Sequence, residues 1–137
     1  MNAVRLADDL SGPVGEPLEL FHASEAKWCR PIQEGKYVTD GPCLHRAKNG
    51  HLLMLWSSFG DGGYTVGIAR SPGGSVKGPW QQDSKPLYEG GGHSMLFRTF
   101  DGKLMLVLHG PNRPPDERAK FFHIEEKEGT LVLADAS

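Results

Sequence analysis

Leu44-His45-Arg46-Ala47-Lys48-Asn49-Gly50-His51-Leu52-Leu53-Met54-Leu55 and Leu96-Phe97-Arg98-Thr99-Phe100-Asp101-Gly102-Lys103-Leu104-Met105-Leu106-Val107 can be laid one over the other. A leucine, an arginine, a turn glycine and an apolar run coincide, at an offset of 52 residues (102 − 50). In each copy a tight-turn pair, Asn49-Gly50 or Asp101-Gly102, precedes a short apolar run, which is the pattern of a hairpin and not of a helix. The spacing lies close to the roughly 40 to 50 residues of a propeller blade, a four-stranded antiparallel meander.

Working outward, the strands expected are Leu52 to Trp56, Tyr64 to Ala69, Ser94 to Arg98, Leu104 to Leu108, Phe121 to Ile124 and Thr130 to Leu133. Asp61-Gly62-Gly63 and Glu128-Gly129 supply further tight turns, whereas Ser71-Pro72-Gly73-Gly74 and the stretch from Pro111 to Pro115 read as longer connections. No segment keeps a helical period for three turns, so the class is all-β. Val4-Arg5-Leu6-Ala7-Asp8-Asp9-Leu10-Ser11-Gly12-Pro13 echoes Ala69-Arg70-Ser71-Pro72 with its loop to Gly78-Pro79-Trp80, the step from a third to a fourth strand. On this reading residues 1–30 are the outer part of one blade, 31–90 a complete blade, and 91–137 a final, nearly complete blade. A blade cannot bury both faces of its sheet without neighbours. Such a piece should therefore expose apolar faces and open edges, to be covered by self-association or by missing N-terminal blades.

The 137 residues carry 15 basic and 17 acidic side chains and are 38% hydrophobic, enough for one core. There is no basic stripe, so neither nucleic acid nor an anionic membrane is an expected partner. The first residues lack the basic stretch and apolar run of a secretory signal. As written the chain would stay in the cytosol, with secretion or a periplasmic location open for a longer parent. Cys29 and Cys43 form no Cys-x-x-Cys pair and read as plain thiols. His22, His45, His51, His109 and His123 show no metal-ligand spacing, and no nucleophile elbow or phosphate loop is present.

Three features remain that could carry chemistry. Asp40-Gly41-Pro42 leads into the first strand of the complete blade, and in a propeller the innermost strands line the central channel. Asp40 is either a turn residue capping local amides or a carboxylate at the channel mouth. His93, in Gly90-Gly91-Gly92-His93-Ser94, is either a surface imidazole on a glycine-rich loop or a channel-floor residue. Trp56, Phe59 and Tyr64 are either blade core or an apolar platform for a sugar face. Phe59 suits the platform best because Ser57 to Gly63 reads as a loop.

Taken in order, Asp40-Gly41-Pro42, Leu55-Trp56-Ser57-Ser58-Phe59, Tyr64-Thr65-Val66-Gly67-Ile68-Ala69-Arg70-Ser71, Gly78-Pro79-Trp80, Gly92-His93-Ser94 and Leu106-Val107-Leu108-His109 resemble the C-terminal part of glycoside hydrolase family 43. The resemblance implies a partial five-bladed β-propeller whose parent hydrolyses arabinose- or xylose-containing oligosaccharides and polysaccharides with inversion. It implies Asp40 as the general acid, one methylene shorter than the family's usual Glu, with a base and an orienting Asp that this chain does not contain. It implies His93 at the channel floor, touching substrate or a metal ion, and allows calcium there while requiring no cofactor. Phe59 and Trp56 complete the expected substrate contacts. The alternative expectation is a non-catalytic, sugar-binding or assembly half-propeller.

Overall fold

The computed structural model describes residues 1–134 and is all-β, with one 3-10 turn at Ala23–Glu25 as its only helical element among those residues. A two-stranded sheet pairs β1 (Asn2–Leu6) with β2 (Pro13–Glu19). A second sheet runs β3 (Asp40–Arg46), β4 (Leu52–Gly60) and β5 (Gly63–Ser71), with a fourth position split between two short strands, β6 (Gln81–Gln82) and β7 (Tyr88–Glu89), both paired with β5. The third sheet is the meander β8 (Gly92–Arg98), β9 (Leu104–Gly110), β10 (Arg118–Lys127) and β11 (Thr130–Leu133). The last three residues of the 91–137 unit lie outside the described residues. All pairings are antiparallel, and the arrangement is that of a partial β-propeller.

The six expected strands are present, several of them longer than their apolar runs. β4 continues through Ser57, Ser58, Phe59 and Gly60 to a two-residue turn at Asp61-Gly62, so the expected loop from Ser57 to Gly63 does not exist. Ser57 and Ser58 are polar yet fully buried, and a polar pair of that kind interrupts the apolar pattern that marks a strand in sequence. β1, β2, β6 and β7 were not among the expected strands, and β3, the first strand expected for the complete blade, begins already at Asp40. Pro13-Val14-Gly15-Glu16-Pro17-Leu18-Glu19 and Asp40-Gly41-Pro42 carry strand-breaking residues that an edge position or a bulge tolerates.

The 52-residue offset holds in the pairing register itself. Asp40↔Ser57, Cys43↔Leu55 and His45↔Leu53 in one sheet become Gly92↔His109, Met95↔Val107 and Phe97↔Met105 in the next. Both first strands carry one extra residue at the same place, between Asp40 and Cys43 and between Gly92 and Met95.

Two apolar clusters hold the sheets together. One face of the middle sheet, with Met54 and Trp56, packs against the incoming segment through Phe21, Ala23, Ala26 and Trp28. Trp56 lies 5.3 Å from Phe21 and 4.8 Å from Trp28 between ring centroids. The other face, with Leu53, Leu55, Val66 and Ile68, packs against Leu106, Leu108, Ile124 and Leu131 of the last sheet. Polar ties span the same junction, where Thr130 donates to Asp83 (3.1 Å) and the Lys48 amide donates to Glu126 (2.7 Å).

The last sheet repeats the apolar face but leaves it open. Met95, Met105 and Val107 occupy the positions of Cys43, Leu53 and Leu55, and Phe121 pairs with Val107 as Ile68 pairs with Leu55. Leu53, Leu55 and Ile68 are buried between sheets, whereas Met95 and Phe121 are 62% and 60% exposed. Leu106, fully buried at the junction, tests how far the two sheets depend on each other. Leu106→Ala is expected to cost about 2–5 kcal/mol in denaturant unfolding, because the rigid junction leaves a cavity that neighbouring strands cannot close.

Candidate functional site

The site is built where the two bulges meet. The extra residue of β3 is Gly41, with φ of +52°, and its counterpart 52 residues later is His93, with φ of +55°. A Cβ on Gly41 would stand 3.0 Å from the Cα and ring of His93, so glycine is required there by contact as well as by dihedral angle. His93 holds the same left-handed conformation with a full side chain, a strained state that the surrounding sheet must maintain. Its backbone amide donates to Ser57 Oγ (2.8 Å), which locks the second bulge onto the middle sheet.

The bulge turns Asp40 toward this junction. Its Oδ1 accepts from the Gly41 amide (2.9 Å), its Oδ2 accepts from the Tyr64 hydroxyl (2.8 Å), and His93 Nδ1 lies 3.4 Å from Oδ2. The cap on a local amide and the carboxylate at an open junction are therefore both realised, one on each oxygen. The Asp40 and His93 side chains remain 43% and 56% exposed, so a ligand can reach them.

Partial burial works to raise the Asp40 pKa, but the Tyr64 hydrogen bond, the neighbouring His93 and the Gly41 amide together outweigh it. The net effect holds the carboxyl below its usual range. The Tyr64 hydroxyl is pushed far up, first by burial and then by the hydrogen bond to, and the charge of, Asp40. It remains a proton donor throughout the physiological range.

Tyr64 and His109 complete the cluster; Tyr64 was expected only as core or as part of a sugar platform, and His109 was not an expected site residue. The Tyr64 ring stacks on His109 (5.5 Å between centroids, 23° between planes), and His109 Nε2 is 2.9 Å from Asn112 Oδ1. His93 and His109 lie 6.5 Å apart between ring centroids. The available signal was the repeat itself, which aligns Ser57 with His109 across from Asp40 and Gly92.

The expected contacts divide. Asp40 and His93 are brought together. Trp56 is corrected: it is fully buried between Phe21 and Trp28, its indole N–H donates to Gln82 (3.1 Å), and no sugar can reach it. Phe59 is corrected in its setting, since it lies on a strand and not a loop, half-buried with its ring 5.2 Å from Tyr64. Trp28 and Trp80 are core residues. Among the described residues no three His, Cys, Asp or Glu side chains gather as a metal site. Asp40 and His93 by themselves do not fit calcium, which takes six to eight oxygen ligands.

The chain was compared with known proteins against this geometry. No protein-family model matches it, and no curated protein does. Among solved structures, an endo-arabinase from Bacteroides thetaiotaomicron is 42% identical, with a TM-score of 0.87 over 93% of this chain and 47% of that one. A thermostable family-43 glycoside hydrolase is 20% identical (TM-score 0.76, 99% of this chain and 47% of that one). An endo-1,4-beta-xylanase from Bacteroides thetaiotaomicron is 23% identical (TM-score 0.79, 97% and 49%). The last two likenesses speak to the fold. This chain spans about half the length of each of these three structures.

The repeated bulged sheets thus define a partial β-propeller. The resemblance read from the sequence holds at the level of the fold, which is similar to part of a glycoside hydrolase family 43 domain.

The charge of Asp40 can be isolated with Asp40→Asn, which keeps the shape and an acceptor for Tyr64. Because the folded-state pKa is lowered, ionised Asp40 stabilises the fold above the unfolded value of about 3.9, and this contribution is lost as pH falls through the folded value. Wild type should exceed Asp40→Asn in urea midpoint at pH 6, and the difference should shrink as pH falls through the folded value of Asp40.

Proposed function

We propose that this chain supplies the acid-bearing part of an inverting glycoside hydrolase for arabinose- or xylose-containing oligosaccharides and polysaccharides, with Asp40 as general acid. The observation that carries the reading is the placement of Asp40 at the mutual bulge of two blades, oriented through both oxygens and open to solvent. The 42% identity to an endo-arabinase supports the substrate class.

In such a reaction the acid protonates the departing glycosidic oxygen while a base on the opposite face of the sugar activates water, the two carboxyl groups standing roughly 6.5–9.5 Å apart. The contacts described for Asp40, His93, Tyr64 and His109 include no second carboxylate, so a base must come from elsewhere. The same applies to the proton. Asp40 is held in its ionised form here, whereas a general acid must arrive protonated. A further negative group brought beside Asp40 would raise its pKa, which is the part the resemblance gives to an orienting Asp. His93 and the exposed edge of Phe59 are the proposed substrate contacts, one by hydrogen bonding and one by stacking on a sugar face. Any calcium would take its oxygens mainly from outside this residue set.

A second reading, an assembly or sugar-binding half-propeller, is favoured by the open face at Met95, Phe97 and Phe121. An apolar surface of that kind is a place for association.

The catalytic reading is tested in a chimera in which this chain replaces the matching 47% of the Bacteroides thetaiotaomicron endo-arabinase. The chimera should hydrolyse arabinan, and Asp40→Asn within it should lower kcat by about 100- to 10,000-fold. An Asp40→Asn chimera as active as its parent would remove Asp40 from the reaction. The 137-residue chain alone should show little or no turnover of aryl arabinosides or xylosides. In sedimentation its mass should exceed that of a monomer, and Phe121→Lys should return it to one; a wild-type monomer would argue against assembly through this face.

A further inference from the structure

We propose that Tyr64 is the positioning residue for Asp40, and that the last blade holds it in place through Gly92 and His109. The inference rests on the reading of Asp40 as the working carboxylate. It concerns how that carboxylate is aimed.

Tyr64 belongs to β5 of the middle blade, two strands away from Asp40 in the same sheet, and its hydroxyl reaches Oδ2 at 2.8 Å. The Gly41 amide takes the other oxygen. Two donors on two different oxygens fix the rotation of a carboxyl group, which one donor or a diffuse charge would leave free. A tyrosine suits the task because its ring is rigid over most of its length and presents one polar atom at the tip.

What makes room for the ring is an absence. Gly92 is the register counterpart of Asp40 in the last blade, and a Cβ there would lie 2.6 Å from Tyr64 Cδ1 and 3.0 Å from Ser57 Oγ. No side chain is compatible with the ring where it stands. His109, the counterpart of Ser57, stacks on the ring at 5.5 Å, and Phe59 packs against it at 5.2 Å. The two blades have thus diverged at matched positions. One keeps the carboxylate, and the other gives up its side chain to admit the residue that orients it. The aim of Asp40 therefore depends on correct docking of the last blade.

A buried tyrosine serving only as core would leave the rotamer of Asp40 unchanged when its hydroxyl is removed. It would also leave Asp40 indifferent to Gly92. Three-bond couplings of the Asp40 β protons, read by NMR in the 137-residue chain, separate the cases. Wild type should show one fixed χ1 rotamer, and the Tyr64 hydroxyl proton should be observable with through-space contacts to those β protons. Tyr64→Phe should give averaged couplings at Asp40 with the amide spectrum of the other blade unchanged. Gly92→Ala, which retains the hydroxyl but displaces the ring, should do the same. Averaged couplings in wild type, or a single rotamer retained in Tyr64→Phe, would overturn the proposal. The wild-type measurement decides it even if a variant fails to fold. Should Asp40→Asn leave the chimera active, the catalytic reading falls while these couplings still report whether Tyr64 fixes Asp40.

Discussion

The junction between the middle and last sheets carries both the stability and the chemistry of this molecule. Leu53, Leu55, Val66 and Ile68 meet Leu106, Leu108, Ile124 and Leu131 in a closed apolar layer, and the two β-bulges at its edge are pressed together by that contact. Each bulge needs a residue in the left-handed region. On one side it is glycine, which adopts the conformation at little cost; on the other it is His93, which does not. The strain at His93 persists because its amide is tied to the buried Ser57 and its sheet is anchored by the apolar layer. Loosening the layer would relax His93 and with it the arrangement around Asp40.

The electrostatics of the site follow from that geometry. Three donors converge on one carboxyl group, and together they favour its charged form although burial opposes it. A carboxylate so stabilised is a good hydrogen-bond acceptor for a sugar hydroxyl and a poor proton donor to a leaving group. An additional negative charge nearby would raise the pKa of that carboxyl group.

Much of the organisation was legible before any coordinates. The repeat, its turn pairs and its apolar runs are local features, and the 52-residue offset of the sequence is the offset of the pairing register. Strands with regular alternation were readable, whereas β2 and the paired fragments β6 and β7 were not, because proline, glycine and short length remove the pattern. Asp40 and His93 were singled out by the family resemblance, because their turn and glycine contexts left each reading open. Phe59 was placed on a loop because two buried serines resemble solvent-facing ones in sequence.

Sequence alone determined that this chain is made of repeated antiparallel meanders, since strand periodicity, turn chemistry and repeat length are properties of the chain taken segment by segment. Only the tertiary structure decided which aromatic residue serves the site. Trp56, Phe59 and Tyr64 look equivalent in sequence, yet Trp56 faces the incoming N-terminal segment and is sealed away, while Tyr64 faces the next blade and reaches Asp40. Which face of a strand points where is set by the neighbours it packs against, and those neighbours lie far along the chain.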